Sequence, residues 1–166
     1  MAVATISRRD LLFGRGAPQP ERICPPGVTP ESLAACTGCG RCVDACPTHI
    51  ISLAGNRPAL DFSIGECTFC GDCRSACPEP VFQFAGVTRF PHVAAIADHC
   101  LAKNAVACQS CRDSCPEQAI RFQPRIGGPF LPVVDEEACS GCGACVGICP
   151  VGAVELGARN QEGANA

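Results

Sequence analysis

Four stretches of the chain repeat one cysteine pattern, and that repeat restricts the fold more than any other feature. They read "CTGCGRCVDACPTHIISL", "CTFCGDCRSACPEPVFQF", "CQSCRDSCPEQAIRF" and "CSGCGACVGICPVGAVEL". Segments one, two and four carry Cys36, Cys39, Cys42 and Cys46, then Cys67, Cys70, Cys73 and Cys77, then Cys139, Cys142, Cys145 and Cys149. Each follows the order C-x2-C-x2-C-x3-C-P. Segment three keeps Cys108, Cys111 and Cys115 but has no cysteine three residues before Cys108. The nearest is Cys100, in "DHCLAKNAVAC". The likeness runs past the cysteines. Ile51, Phe82, Ile120 and Val154 hold one equivalent position, and Leu53, Phe84, Phe122 and Leu156 hold the position two further on. A spacing of two puts each pair on one face of a short strand.

This cysteine order is the signature of bacterial-ferredoxin iron–sulfur sites, in which the fourth cysteine serves the other cluster of a pair. Three cysteines at spacing three let a tight loop wrap one cube. Gly40, Gly71 and Gly143 sit inside these loops, where a missing side chain permits unusual dihedrals and close backbone approach. Backbone N–H groups can then point at sulfur. The fourth cysteine precedes proline, which disfavours helix there and turns its sulfur away from its own loop. The ligand sets are therefore expected to cross. Cys36, Cys39 and Cys42 would share a cluster with Cys77, and Cys67, Cys70 and Cys73 one with Cys46. Cys139, Cys142 and Cys145 would join Cys115. A longer excursion would return Cys100 to Cys108, Cys111 and Cys149. The alternatives at that last site are a three-iron cluster or an empty fourth position. The expectation is four [4Fe-4S] clusters, and at least three.

Two other uses of cysteine compete. Structural zinc also takes four cysteines, but its sites usually arrive as two separated pairs, not triplets closed by Cys-Pro. Disulfides would need an oxidising compartment, and cysteines this dense would leave many badly placed to pair. Cys24 belongs to no repeat and reads as a free thiol. His49, His92 and His99 follow no ligand spacing, and His99 reads as a surface residue.

Composition says why a metal framework is needed. Roughly a tenth of the 166 residues are Cys, and Leu, Ile, Val and Phe together make up only about 22%. Trp and Tyr are absent. Thin cores of this kind need disulfides, metals or oligomerisation. The formal charge of -3 gives no basic surface for nucleic acid, and no apolar stretch approaches the ~20 residues of a membrane span. An oxidised cube with its thiolates carries about −2, so four would add about −8. A partner presenting a basic patch suits such a surface. No nucleophile–base arrangement is legible, so the chain is read as an electron-transfer protein and not an enzyme.

Near the start stands "ISRRDLLFGRG". The twin arginines Arg8 and Arg9 resemble an export address, but only Leu11, Leu12 and Phe13 follow where an apolar run of roughly 7–15 residues would be required. Export is not expected. The segment reads as a disordered basic tail or as a docking element anchored by Leu11, Leu12 and Phe13. A reducing cytoplasm also suits thiolates awaiting iron.

The organisation expected is α+β: two tandem bacterial-ferredoxin-like modules with short strands and short helices around the clusters. Residues 1–29 form a mobile N-terminal segment, 30–86 the first module, 87–99 a partly helical connector, 100–158 the second module and 159–166 a mobile tail.

With "SRRDLLFGR", two regular motifs, the stretched third and the regular fourth, nearly the whole chain resembles NapF, the ferredoxin-type accessory family of periplasmic nitrate reductase systems. The resemblance implies a cytoplasmic protein whose partner is the nitrate reductase catalytic subunit, which it helps to mature before export. A general electron carrier or relay subunit of a redox complex is the competing function, and a zinc-stapled interaction module a third.

Overall fold

The computed structural model describes residues 22–159. Arg8, Arg9, Leu11, Leu12 and Phe13 lie outside them. Every regular element is short, because each motif leaves only a few residues between cysteines and turns. Four one-turn helices, α1 (Arg41–Asp44), α2 (Asp72–Ser75), α3 (Ser110–Asp113) and α4 (Ala144–Gly147), each start inside a cysteine loop. Gly40, Gly71 and Gly143 precede three of them at φ of 80°, 81° and 83°, the left-handed conformation for which glycine was expected there.

Six strands follow the motifs: β1 (Ile51–Ala54), β2 (Arg57–Leu60), β3 (His92–Ile96), β4 (Ile120–Gln123), β5 (Leu131–Val134) and β6 (Val154–Ala158). They form three antiparallel pairs. β1 and β2 are joined through Gly55 and Asn56, both at positive φ, as a two-residue primed turn demands. β4 and β5 pair in the same way through a longer loop. In each module the ends of the chain also meet. Val28 bridges Phe82 in the first, and β3 pairs with β6 over five residues in the second, from His92↔Ala158 to Ile96↔Val154.

Two expectations change here. The connector is a strand where it was expected to be partly helical. "HVAAI" is poor in intrinsic strand formers, and pairing with distant β6 overrides local preference. Residues 22–29, grouped by sequence with a mobile tail, pack on the first module. Pro25 is fully buried, Leu60 donates to the Ile23 carbonyl and Gln83 to that of Gly27.

Two small cores adjoin. Ile50, Ile51, Phe62, Val81, Phe82 and Phe90 centre one, and Val93, Ala94, Ala119, Ile120 and Val154 the other. Between the modules, Phe62 stands edge-on to Phe90 with ring centres 5.9 Å apart, and Phe90 stacks on His92 at 4.7 Å. Phe62 also covers Gly143, where an added Cβ would lie 2.0 Å from its ring. His92 Nε2 stands 2.9 Å from the Gly141 carbonyl oxygen. The Cys67 N–H donates to the Cys142 carbonyl at 2.9 Å, and the Phe90 N–H to that of Ser140 at 2.8 Å. No helix among the described residues is long and apolar enough to cross a membrane.

Candidate iron–sulfur sites

All 17 cysteines are free thiols. Sixteen of them line four cavities, four to each. Ring one is Cys36, Cys39, Cys42 and Cys77. Ring two is Cys46, Cys67, Cys70 and Cys73. Ring three is Cys100, Cys108, Cys111 and Cys149, and ring four is Cys115, Cys139, Cys142 and Cys145. The structure gathers cysteines of different motifs in each four, and Cys100 stands with Cys108, Cys111 and Cys149. Cys24 lines none of the four cavities and His99 is exposed.

The excursion that returns Cys100 is held by two side chains. Lys103 Nζ donates to the Ile96 carbonyl at 2.7 Å and pairs with Asp98 at 3.1 Å. Asn104 Nδ2 donates to the carbonyls of Asp98 and Cys100, at 2.7 and 2.9 Å. Arg159, at the end of β6, donates to the carbonyls of Glu136 and Cys139, fastening the entry to ring four.

The strand pairs found in sequence divide between rings in one way in all four motifs. The first residue lines the ring of the partner motif: Ile51 ring two, Phe82 ring one, Ile120 ring four, Val154 ring three. The second lines its own: Leu53 ring one, Phe84 ring two, Phe122 ring three, Leu156 ring four. Each of these residue pairs therefore walls both cavities of its module; Phe82 and Phe84 do so from an isolated bridge and the loop after it, where the spacing predicts a short strand. Rings one, four and three are tight, with little free space between their lining residues. Ring two opens into a cleft of ≈ 280 Å³ beside half-exposed Phe84.

The more deeply buried ring thiols are held protonated by their surroundings. Burial, reinforced by neighbouring sulfurs of the same ring, raises Cys67, Cys73 and Cys111 each to about 11 and Cys145 to about 12. Burial also raises Cys142, against the pull of the Ala144 backbone and the Ser140 hydroxyl. At Cys46 burial raises the thiol, but hydrogen bonds from Thr48 and from the backbone of Ile50 and Ile51 outweigh it, and the net shift is downward.

A four-iron cube fits this donor set. It needs four thiolates, and each ring supplies four cysteines. Cationic iron offsets the burial, and with it the mutual repulsion of sulfurs, that keeps the raised thiols protonated. Backbone amides supply the outer contacts: Ala119 N–H donates to Cys115 Sγ at 3.3 Å and Ala153 N–H to Cys149 Sγ at 3.2 Å. Among the described residues, no three His, Cys, Asp or Glu side chains are gathered closely enough to hold a single ion.

One local device was not legible in advance. The third residue after each Cys-Pro cysteine sits at positive φ in three motifs: His49 at 56°, Gln118 at 51° and Gly152 at 61°. This turn swings the next N–H back onto the cysteine sulfur. Two of the three residues are not glycine, so composition carried no signal.

Comparison with known proteins agrees. The family model described as "4Fe-4S dicluster domain" matches residues 35–81 and 106–153. "Ferredoxin-type protein NapF" of Escherichia coli (strain K12) is 40% identical over 151 residues, covering 89% of this chain and 92% of that protein. The protein of that name from Haemophilus influenzae is 41% identical over 144 residues, covering 84% and 81%. An iron-sulfur subunit of the CoB--CoM heterodisulfide reductase of Methanopyrus kandleri is 61% identical, but over only 28 residues and 4% of its length. A single motif is thus shared widely, while likeness across the whole length is what assigns a family. With two dicluster domains in tandem, this chain belongs to the NapF family of ferredoxin-type iron–sulfur proteins.

Proposed function

We propose that the chain carries four [4Fe-4S] clusters, one in each ring, and that it acts in the cytoplasm on the catalytic subunit of a periplasmic nitrate reductase before that subunit is exported. There it would supply electrons or help a cluster form. The observation that carries this reading is the full-length likeness to NapF proteins, joined to four complete sets of four cysteines. Each cube, when bound, takes up and gives back one electron. The chain's own residues hold the iron by the sixteen thiolates, exclude water with the paired strand residues and direct amides at sulfur. The general electron carrier is the second reading, and the open cleft at ring two favours it, since it leaves one site approachable by many partners.

Anaerobic purification followed by iron and acid-labile sulfide analysis should give about sixteen of each per chain. A colourless, folded, zinc-rich sample would overturn the cluster reading. The maturation reading requires a complex with the unexported catalytic subunit that weakens when Arg8, Arg9, Leu11 and Leu12 are replaced by alanine. Rapid reduction and reoxidation with no such complex would leave the general carrier.

A further inference from the structure

We propose that Pro80 gives the cluster at ring one a more negative reduction potential by withholding a backbone amide from the Cys77 sulfur. This rests on the cluster reading above.

In three motifs the residue three beyond the Cys-Pro cysteine takes a left-handed φ, and the amide after it reaches the sulfur. Ala119 reaches Cys115 and Ala153 reaches Cys149, and the Ile50 amide bonds Cys46. In the second motif that residue is Pro80. A proline ring locks φ near −65°, so the left-handed turn is closed to it. The Val81 N–H, equivalent to those of Ile50, Ala119 and Ala153, goes instead to the Glu79 carbonyl at 2.8 Å.

Reduction adds negative charge to a cluster. An N–H aimed at its sulfur stabilises that charge and raises the potential, so an amide turned elsewhere lowers it. Cys77 belongs to ring one, not to the ring of its own motif. Pro80 therefore acts across the crossing, on the cluster wrapped by Cys36, Cys39 and Cys42. It is a positioning residue: it works through the path of the Val81 amide and touches no iron.

The test is protein-film voltammetry on anaerobically purified holoprotein of full iron content. Pro80→Gln makes the stretch Cys-Pro-Glu-Gln, which segment three already carries. The ring-one wave is identified as the one missing from Cys39→Ala. In Pro80→Gln that wave should move upward by about 59 mV, a tenfold change in a one-electron reduction equilibrium, the size expected of one hydrogen bond to a charged group. The other three waves should stay in place, and Pro80→Gly should act in the same direction. Unchanged waves at full iron content would overturn the inference while leaving the cluster reading intact. So would loss of the ring-one cluster in both variants, which would mean that the proline is needed to present Cys77 at all. A wild-type preparation short of iron and sulfide would instead sink the cluster reading itself.

Discussion

Gly143 stands at φ 83° beneath the Phe62 ring, at the join of the two modules. Gly143→Ala adds both backbone strain and overlap, and should destabilise the holoprotein by about 1–3 kcal/mol, seen as an earlier denaturant midpoint. The buried thiols make a second prediction at this scale. Burial and neighbouring sulfurs keep Cys67, Cys73, Cys111 and Cys145 protonated at neutral pH, with values of about 11 or 12. Ligation needs the thiolate, so loading should release about one proton from each of these groups. A rise in pH removes competing protons, so iron affinity climbs until pH passes those raised values. An indicator dye during anaerobic reconstitution counts the protons. Gly40, Gly71 and Gly143 were legible as loop glycines because the cysteine spacing demands a tight turn around each. The turns at His49 and Gln118 were not, since side chains that tolerate positive φ look in sequence like any others.

Elements here are one turn of helix or one short strand, and most of them contribute residues to a ring. Asn104 ties the excursion of segment three to the Cys100 carbonyl. Asn104→Ala should loosen that ligand and convert part of ring three to a three-iron form, which gives its own electron paramagnetic resonance signal in the oxidised state. Crossing has an arithmetic consequence. Cys46 and Cys70 line one cavity although they come from different motifs, whereas Cys39 and Cys46 share a motif and line different ones. The double variant Cys46→Ala/Cys70→Ala should alter one cluster, and Cys39→Ala/Cys46→Ala two, counted as waves displaced or lost in film voltammetry. Both hairpins could be read from the alternation of apolar runs with Gly- and Asn-rich turns. β3 could not, because its partner lies some sixty residues away and Ala94 and Ala95 carry little strand preference of their own.

Across the whole molecule, the described contacts join the rings in an order that differs from the order of the motifs. Crossed fourth cysteines tie one to two and three to four, and the hydrogen bond from Cys67 to Cys142 sets two beside four. That seam could not be read from spacing. It depends on which faces of Phe62, Phe90 and His92 meet, and the repeat treats each motif alike. With clusters bound as proposed, the crossing would make each pair of cubes a double stitch through its module. Should a protease sever the peptide link between Gly55 and Asn56 in the iron-loaded protein, Cys36, Cys39, Cys42 and Cys46 would fall on one fragment and Cys67, Cys70, Cys73 and Cys77 on the other. Both pieces should still migrate as one body on a native gel, sewn together by inorganic thread, and come apart only after a chelator draws the metal out.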